Sequence, residues 1–304
     1  MATLSTPEKQ VNKEKPNMLC VISPAKRLDL SAWDRDRNGL TTPAWPQEIE
    51  TLAALARALD VADYQRLMHI SAKQAQDVRG YYDAFGFPHT ADNAKPACLM
   101  FAGDTYVGLD AGTLSEKDLS YAQDHLLIIS GLYGKLRPLD LVRPFRLDMS
   151  TRLDNPRGKD LYAYWGEKIA DAIASQMKAT KAKALVNLAS IEYFKAARGD
   201  VLAKRGVRII TPSFKEIRDT GEIKVMSLFA KRARGAMARW IVENRITDPE
   251  QLKAFDVDGY SFQPGASDGD AWTFARPQPA KKTKPAKAAD AAHTPRLRKA
   301  RAGG

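Results

Sequence analysis

The chain has 304 residues, 44% hydrophobic and 27% charged, the balance of a soluble globular protein long enough to bury a sizeable core. No run of about 18 apolar residues occurs and the N-terminal stretch MATLSTPEKQVNKEKPN lacks a signal peptide's apolar centre, so a membrane-spanning helix is excluded and a cytoplasmic location is expected. The net charge is +11, but 277–304 holds eight Lys and Arg against the single acid Asp290; that segment carries +7, the rest +4, and net charge alone identifies no nucleic-acid binder.

Residues 1–17 are polar and aperiodic and are expected to be disordered. Short apolar runs between turn residues then predict strands over 19–22, 97–101, 126–129, 184–188, 207–210 and 224–229. Amphipathic stretches predict helices over 47–59, 63–68, 72–85, 116–125, 161–177 and 232–244. Their alternation argues for an α/β protein, a mixed sheet surrounded by helices. No linker interrupts 18–276, which reads as one domain. The Ala/Lys/Pro-rich tail 277–304 is again expected to be disordered, either adding salt-sensitive attraction to a polyanion or serving only solubility.

Cys20 and Cys98 each sit inside an apolar run and read first as strand packing, with a peroxide-sensing pair as the rival reading. His69, His89, His125 and His293 are scattered, so neither a metal site nor a cofactor is expected.

Four stretches could carry chemistry. From 63 to 82, Leu67 and Ile70 fall where a helix–hairpin–helix has its turn hydrophobics, and Ala75 and Val78 on the packing face of its second helix. Such a hairpin points backbone N–H groups at a phosphate; Ser71 is a suitable N-cap, and Lys73 and Arg79 add charge. Against this, His69 and Ser71 stand where the motif has glycines, and an ordinary helix–turn–helix corner is the alternative. In the second stretch, Lys231, Arg232, Arg234 and Arg239 share a helix with Ala233, Gly235, Ala236 and Ala238, small residues that allow close approach. The cations crowd the first turn against the helix dipole, which suggests an anion; the alternative is a solvated face with Arg239 in an ion pair. The third, Ser130-Gly-Leu-Tyr-Gly-Lys-Leu-Arg-Pro-Leu-Asp140, leaves a strand end and offers Arg137 and, further on, Arg146 for phosphate or carboxylate, unless Asp140 and Asp148 pair with them. Lastly, Ser23-Pro-Ala-Lys26 and Asn187-Leu-Ala-Ser190-Ile-Glu192-Tyr193 follow two other strands. Lys26, Glu192 and Tyr193 brought together would suffice for acid–base work, or for a polar ligand pocket without catalysis.

Taken in order, Ser-Pro-Ala-Lys at 23–26, Phe-Ala-Gly-Asp-Thr-Tyr-Val-Gly-Leu at 101–109, the 130–140 block, Pro-Phe-Arg-Leu-Asp-Met at 144–149, Gly-Lys-Asp-Leu-Tyr-x-Tyr-Trp at 158–165, Asn-Leu-Ala-Ser-x-Glu-Tyr at 187–193 and Lys-Arg-Ala-Arg-Gly at 231–235 resemble the YaaA family across about 18–274. The resemblance implies a role in peroxide resistance that limits iron-dependent DNA damage, and DNA binding through a helix–hairpin–helix beside a basic cleft. DNA is thus the expected partner, gripped mainly by its phosphates through His69, Ser71, Lys73, Arg79, Arg137, Arg146, Lys231, Arg232, Arg234 and Arg239. Some relatives act in natural-product biosynthesis, which keeps open an enzyme for a small anionic substrate, using Lys26, Arg137, Glu192 and Arg234.

Overall fold

In the computed structural model, which describes residues 17–33 and 38–279, the chain opens with β1 (Asn17–Ile22) and then three helices, α1 (Pro46–Arg57), α2 (Val61–Met68) and α3 (Ala72–Asp83). A short β2 (Lys95–Pro96) leads into α4 (Ala97–Met100), α5 (Asp104–Leu109) and α6 (Glu116–His125). Next come β3 (Leu126–Ser130), β4 (Gly134–Leu136), β5 (Leu141–Val142), α7 (Leu161–Trp165) and α8 (Lys168–Ala179). The second half runs β6 (Ala182–Leu188), α9 (Ile191–Ala196), α10 (Gly199–Lys204), β7 (Arg208–Ile217), β8 (Ile223–Lys224), α11 (Ser227–Asn244), β9 (Ser261–Phe262) and β10 (Ala271–Pro277).

Among the described residues one mixed sheet has the order β4-β3-β1-β6-β7-β10-β9, with β8 on the far end of β7; β2 and β5 form a separate pair. The neighbours β3, β1, β6, β7 and β10 run parallel, whereas β4, β8 and β9 pair antiparallel at the margins. β1 and β3 are buried along almost their whole length, which is why they read as continuous apolar runs rather than alternating ones. β7 alternates instead, burying Ile210, Pro212, Phe214 and Glu216. A single buried apolar cluster extends from Met18 to Phe274.

The α/β reading and most of its elements hold, with instructive departures. The apolar run at 97–101 is a helix, α4, not a strand: Pro96 precedes it, and the Ala97 and Cys98 N–H groups donate to Asp140 O and Pro138 O instead of to a ladder. A short apolar run carries no periodicity that separates the two. The strand expected over 224–229 is only β8; from Ser227 the chain is already α11. The helix expected over 161–177 is two, α7 and α8, parted at Gly166, whose φ of 51° no other residue adopts cheaply at ψ −120°. The strand expected over 207–210 is longer, β7 running from Arg208 to Ile217. Along it β6 pairs only as far as Ile210, and β10 takes over from Thr211 to Ile217. Both tail boundaries shift as well. Asn17 belongs to β1 and its side chain bonds Thr180 O, while Pro277 ends β10 and Gln278 N donates to Ile217 O. The remaining expected tails, 1–16 and 280–304, lie outside the described residues. Among those described, no helix is long and apolar enough to cross a membrane.

Candidate functional site

The carboxyl ends of β1 and β6 lie side by side, since Ile22 and Leu188 are in register, and their loops meet. Ser190 N donates to Ser23 Oγ at 2.8 Å, and Ser23 Oγ donates to Ser190 Oγ at 3.3 Å, which in turn caps α9 through Tyr193 N. Lys26 Nζ sits 3.0 Å from Asp148. Glu192 Oε1 accepts from both Ser150 N (3.0 Å) and Ser150 Oγ (2.9 Å), while the Tyr162 hydroxyl donates to the Glu192 carbonyl. The strip 148–150 is thereby stitched across both loops. Ser23 and Lys26 thus have separate partners, Ser190 and Asp148. Burial raises the Tyr193 phenol well above its ordinary range, which leaves it a hydrogen-bond donor rather than a base.

Lys26, Glu192, Tyr193, Lys231 and Arg234 line a cavity of about 410 Å³ over these loops. Arg137, expected in the same pocket, does not line it. The antiparallel turn from β3 into β4 carries Arg137 back along the sheet, where its guanidinium lies 3.6 Å from the buried Asp140. The glycine-flanked loop that precedes it is packing rather than a ligand loop. Ser130, Leu132 and Tyr133 are fully buried; a Cβ at Gly131 would overlap the Leu147 carbonyl, and one at Gly134 the Trp165 ring. The Tyr133 hydroxyl accepts from Arg143 N and shares a hydrogen bond with His89 Nε2 at 3.1 Å.

Arg234 comes from α11. That helix crosses α5 so closely that a Cβ at Gly235 would overlap the Thr105 carbonyl and one at Gly108 the Arg232 carbonyl, which is the close approach the small residues signalled. The cations of α11 part company here. Arg239 donates to Leu109 O, Asp110 O and Thr113 Oγ1 and pairs with Glu243 at 2.7 Å; it is a structural clamp. Arg232 lies 3.6 Å from Asp104. Lys231 is exposed and Arg234 partly buried, and among the described residues neither has a hydrogen-bonding or ionic partner. Desolvation lowers the Arg234 pKa from its ordinary value.

A larger cavity, of about 780 Å³, lies on the other side of Arg234 and is lined also by Tyr162, Asn187, Phe194, Thr211 and Ser213. Its walls come from α7, β6, α9, α10, β7 and α11; the sequence singled out Asn187 and Arg234 among them, but nothing local joins the two.

The 63–82 stretch is a tight corner. Asp60 and Ser71 both make reciprocal capping boxes, and His69 takes the left-handed conformation (φ 52°) that glycine was expected to supply. Tyr64, Met68, Ala75, Val78 and Tyr82 face inward, while His69, Ser71 and Lys73 are exposed. Lys73 has no ionic partner among the described residues, whereas Arg79 lies 3.8 Å from Asp83. At the other end of α3, about 17 Å along its axis from Ser71, the Tyr82 hydroxyl donates to Arg146 O. Asp148 has gone to Lys26, and the buried Arg146 Nε has no partner among the described residues. Cys20, buried in β1, is pushed up to about 12, which makes its thiol inert to oxidation at neutral pH. No group of three or more His, Cys, Asp or Glu among the described residues is arranged to hold a metal ion.

Curated relatives, each named only as a UPF0246 protein, resemble the chain along nearly its whole length. The one from Dinoroseobacter shibae is 49% identical over 263 residues, covering 86% of this chain and 96% of its own. That from Ralstonia pickettii is 48% identical over 259 residues (85% and 99%), and that from Saccharophagus degradans 47% over 261 (86% and 100%). Residues 18–266 match the family model described as peroxide stress protein YaaA, so the chain belongs to that family.

Proposed function

We propose that this protein protects DNA during peroxide stress by binding the sugar–phosphate backbone in the cytoplasm, with the α2–α3 corner as the principal contact. The observation that carries this reading is the exposed turn itself: His69 is left-handed, Ser71 caps α3, and Lys73 stands beside them with no ionic partner among the described residues. Backbone amides and one unneutralised cation at a helix start suit a phosphate oxygen. Arg146 at the far end of α3, then Lys231 and Arg234 over the strand ends, supply further cations without an ionic partner among the described residues. Contacts of this kind are largely blind to sequence and fall away with salt. Damage limitation would follow from occupying the backbone where iron would otherwise bind.

The test is fluorescence anisotropy with duplex, single-stranded and branched DNA over a salt series. The variant Lys73→Glu, Arg79→Glu should keep its fold and lose affinity on the order of tenfold. Undiminished binding by the folded variant removes the corner from the account.

A second reading, an enzyme acting on a small anionic substrate, is favoured by one observation: Lys26, Glu192, Lys231 and Arg234 surround a single cavity at the strand ends, where α/β proteins place ligands.

A further inference from the structure

We infer that the cavity beneath α9 and α10 binds a small molecule made of two parts, an anionic head held by Arg234 and a planar apolar body held against Tyr162 and Phe194. This goes beyond both readings above, because it concerns a chamber lined by Arg234 but not by Lys26 or Glu192.

Three observations converge. The first is volume: about 780 Å³ is ample for a molecule of nucleotide or aromatic-acid size. The second is the lining, which combines the rings of Tyr162 and Phe194 and the face of Pro212 with a few polar groups, Asn187, Thr211 and Ser213. Asn187 and Thr211 are already oriented, Asn187 Oδ1 accepting from Ala189 N and Nδ2 reaching Thr211 Oγ1 at 3.5 Å. Lys195 lies 4.4 Å over the Tyr162 ring and the Tyr162 hydroxyl is tied to Glu192 O, so that wall is fixed before any ligand arrives. The Phe194 wall is fixed as well, for it packs so tightly on Gly199 that a Cβ there would come within 2.6 Å of the ring.

The third is charge. Arg198 also lines the chamber, but Asp200 holds it bidentately, both bonds at 2.9 Å, and cancels it. Arg234 has no such partner among the described residues. A guanidinium partly withdrawn from water and lacking an anion is an incomplete interaction. Its position is rigid, since the neighbouring Gly235 is locked against α5. A phosphate or carboxylate meets the guanidinium in the two-pronged geometry that planar donors favour, and the apolar remainder of the molecule then falls toward the aromatic walls.

Titration calorimetry with 1-naphthyl phosphate, inorganic phosphate and 1-naphthol tests this, because the first joins the two parts and the others supply one each. The expected result is one molecule of 1-naphthyl phosphate per chain with a submillimolar dissociation constant, and at least about tenfold weaker binding of either half. Arg234→Gln should weaken the naphthyl phosphate at least about tenfold, and Arg234→Lys should retain part of the affinity. Ser213→Phe, which fills the chamber from β7 and leaves Arg234 unsubstituted, should abolish binding and serves should Arg234→Gln fail to fold. Lys73→Glu, Arg79→Glu should bind the probe as wild type does, whether or not it binds DNA. No binding of the naphthyl phosphate at millimolar concentration, or equal binding by folded Arg234→Gln, overturns the inference.

Discussion

The two ends of α11 use arginine in opposite ways. Toward its C-terminus, Arg239 is saturated: three oxygens around the end of α5 accept its bonds and Glu243 balances its charge. One and a half turns earlier, Arg234 reaches into the space between two cavities and finds no oxygen among the described residues. Both face partly inward on a helix whose packing on α5 tolerates no movement, so flexibility does not explain the difference. A cation spent on carbonyls and carboxylates holds the fold together; a cation left over at a cavity is available to something outside it. The same division separates Arg137, given to Asp140, from Arg146 and Lys73, which are given to nothing among the described residues.

The largest effect should come from the contact that fixes this geometry. Gly235→Ala places a methyl where the Thr105 carbonyl stands, and denaturant unfolding should show a loss of about 3 kcal/mol or more. A wild-type melting curve would mean that α11 and α5 are not locked, and that the rigidity ascribed to Arg234 is wrong.

A comparable change is expected from His89, a polar group sealed in the core beside Tyr133. Burial holds its imidazole down to about 4, against 6.5 for the ordinary value. Between those limits the unfolded chain binds a proton that the folded chain refuses. The contribution is therefore complete above pH 6.5, falls as the solution is acidified, and is gone below about 4; in full it is about 3 kcal/mol. Stability of wild type and of His89→Phe, followed from pH 7 to pH 4, should diverge, with the variant giving the flatter profile.

Next in size is the direct contrast. Arg239→Ala should cost about 2 kcal/mol, since it strips carbonyls at the end of α5 of their donors. Arg234→Gln should stay within about 0.5 kcal/mol of wild type, because Arg234 makes no hydrogen bond or ion pair among the described residues. Equal losses in the two variants would show that Arg234 has a structural partner after all. The smallest expected change is in salt dependence: Lys231→Ala should shallow the log–log slope of DNA binding by about one unit without altering the fold.

Much of this arrangement was legible in the sequence where chemistry is local. The capping residue Ser71 and the small residues of α11 could each be read from short stretches, whereas the meeting of the 23–26 and 187–193 loops entered only as a condition and is set by the pairing of β1 with β6. What escaped was set by tertiary pairing. α4 looked like a strand because a short apolar run, buried but for the half-buried Leu99, shows no periodicity. β10 was hidden because AWTFARP adjoins a low-complexity tail. Arg137 seemed to belong with Lys26 because both follow strands, yet the antiparallel β3–β4 turn carries it back along the sheet. His69 shows the converse, a residue that looked unsuited to its turn and adopts it anyway, at φ 52°. The larger cavity could not be assembled from the sequence, since six separate elements build it.

The most direct test of the protective role is peroxide survival of cells lacking the endogenous gene and complemented with three proteins: wild type, Lys73→Glu with Arg79→Glu, and Lys26→Ala with Glu192→Gln. If the DNA backbone is the target, the corner variant, expressed and folded, fails to protect, while the pocket variant retains protection in proportion to its DNA affinity. Full protection by the corner variant together with failure of the pocket variant at unchanged DNA affinity would contradict the account and assign the function to the strand-end cavity.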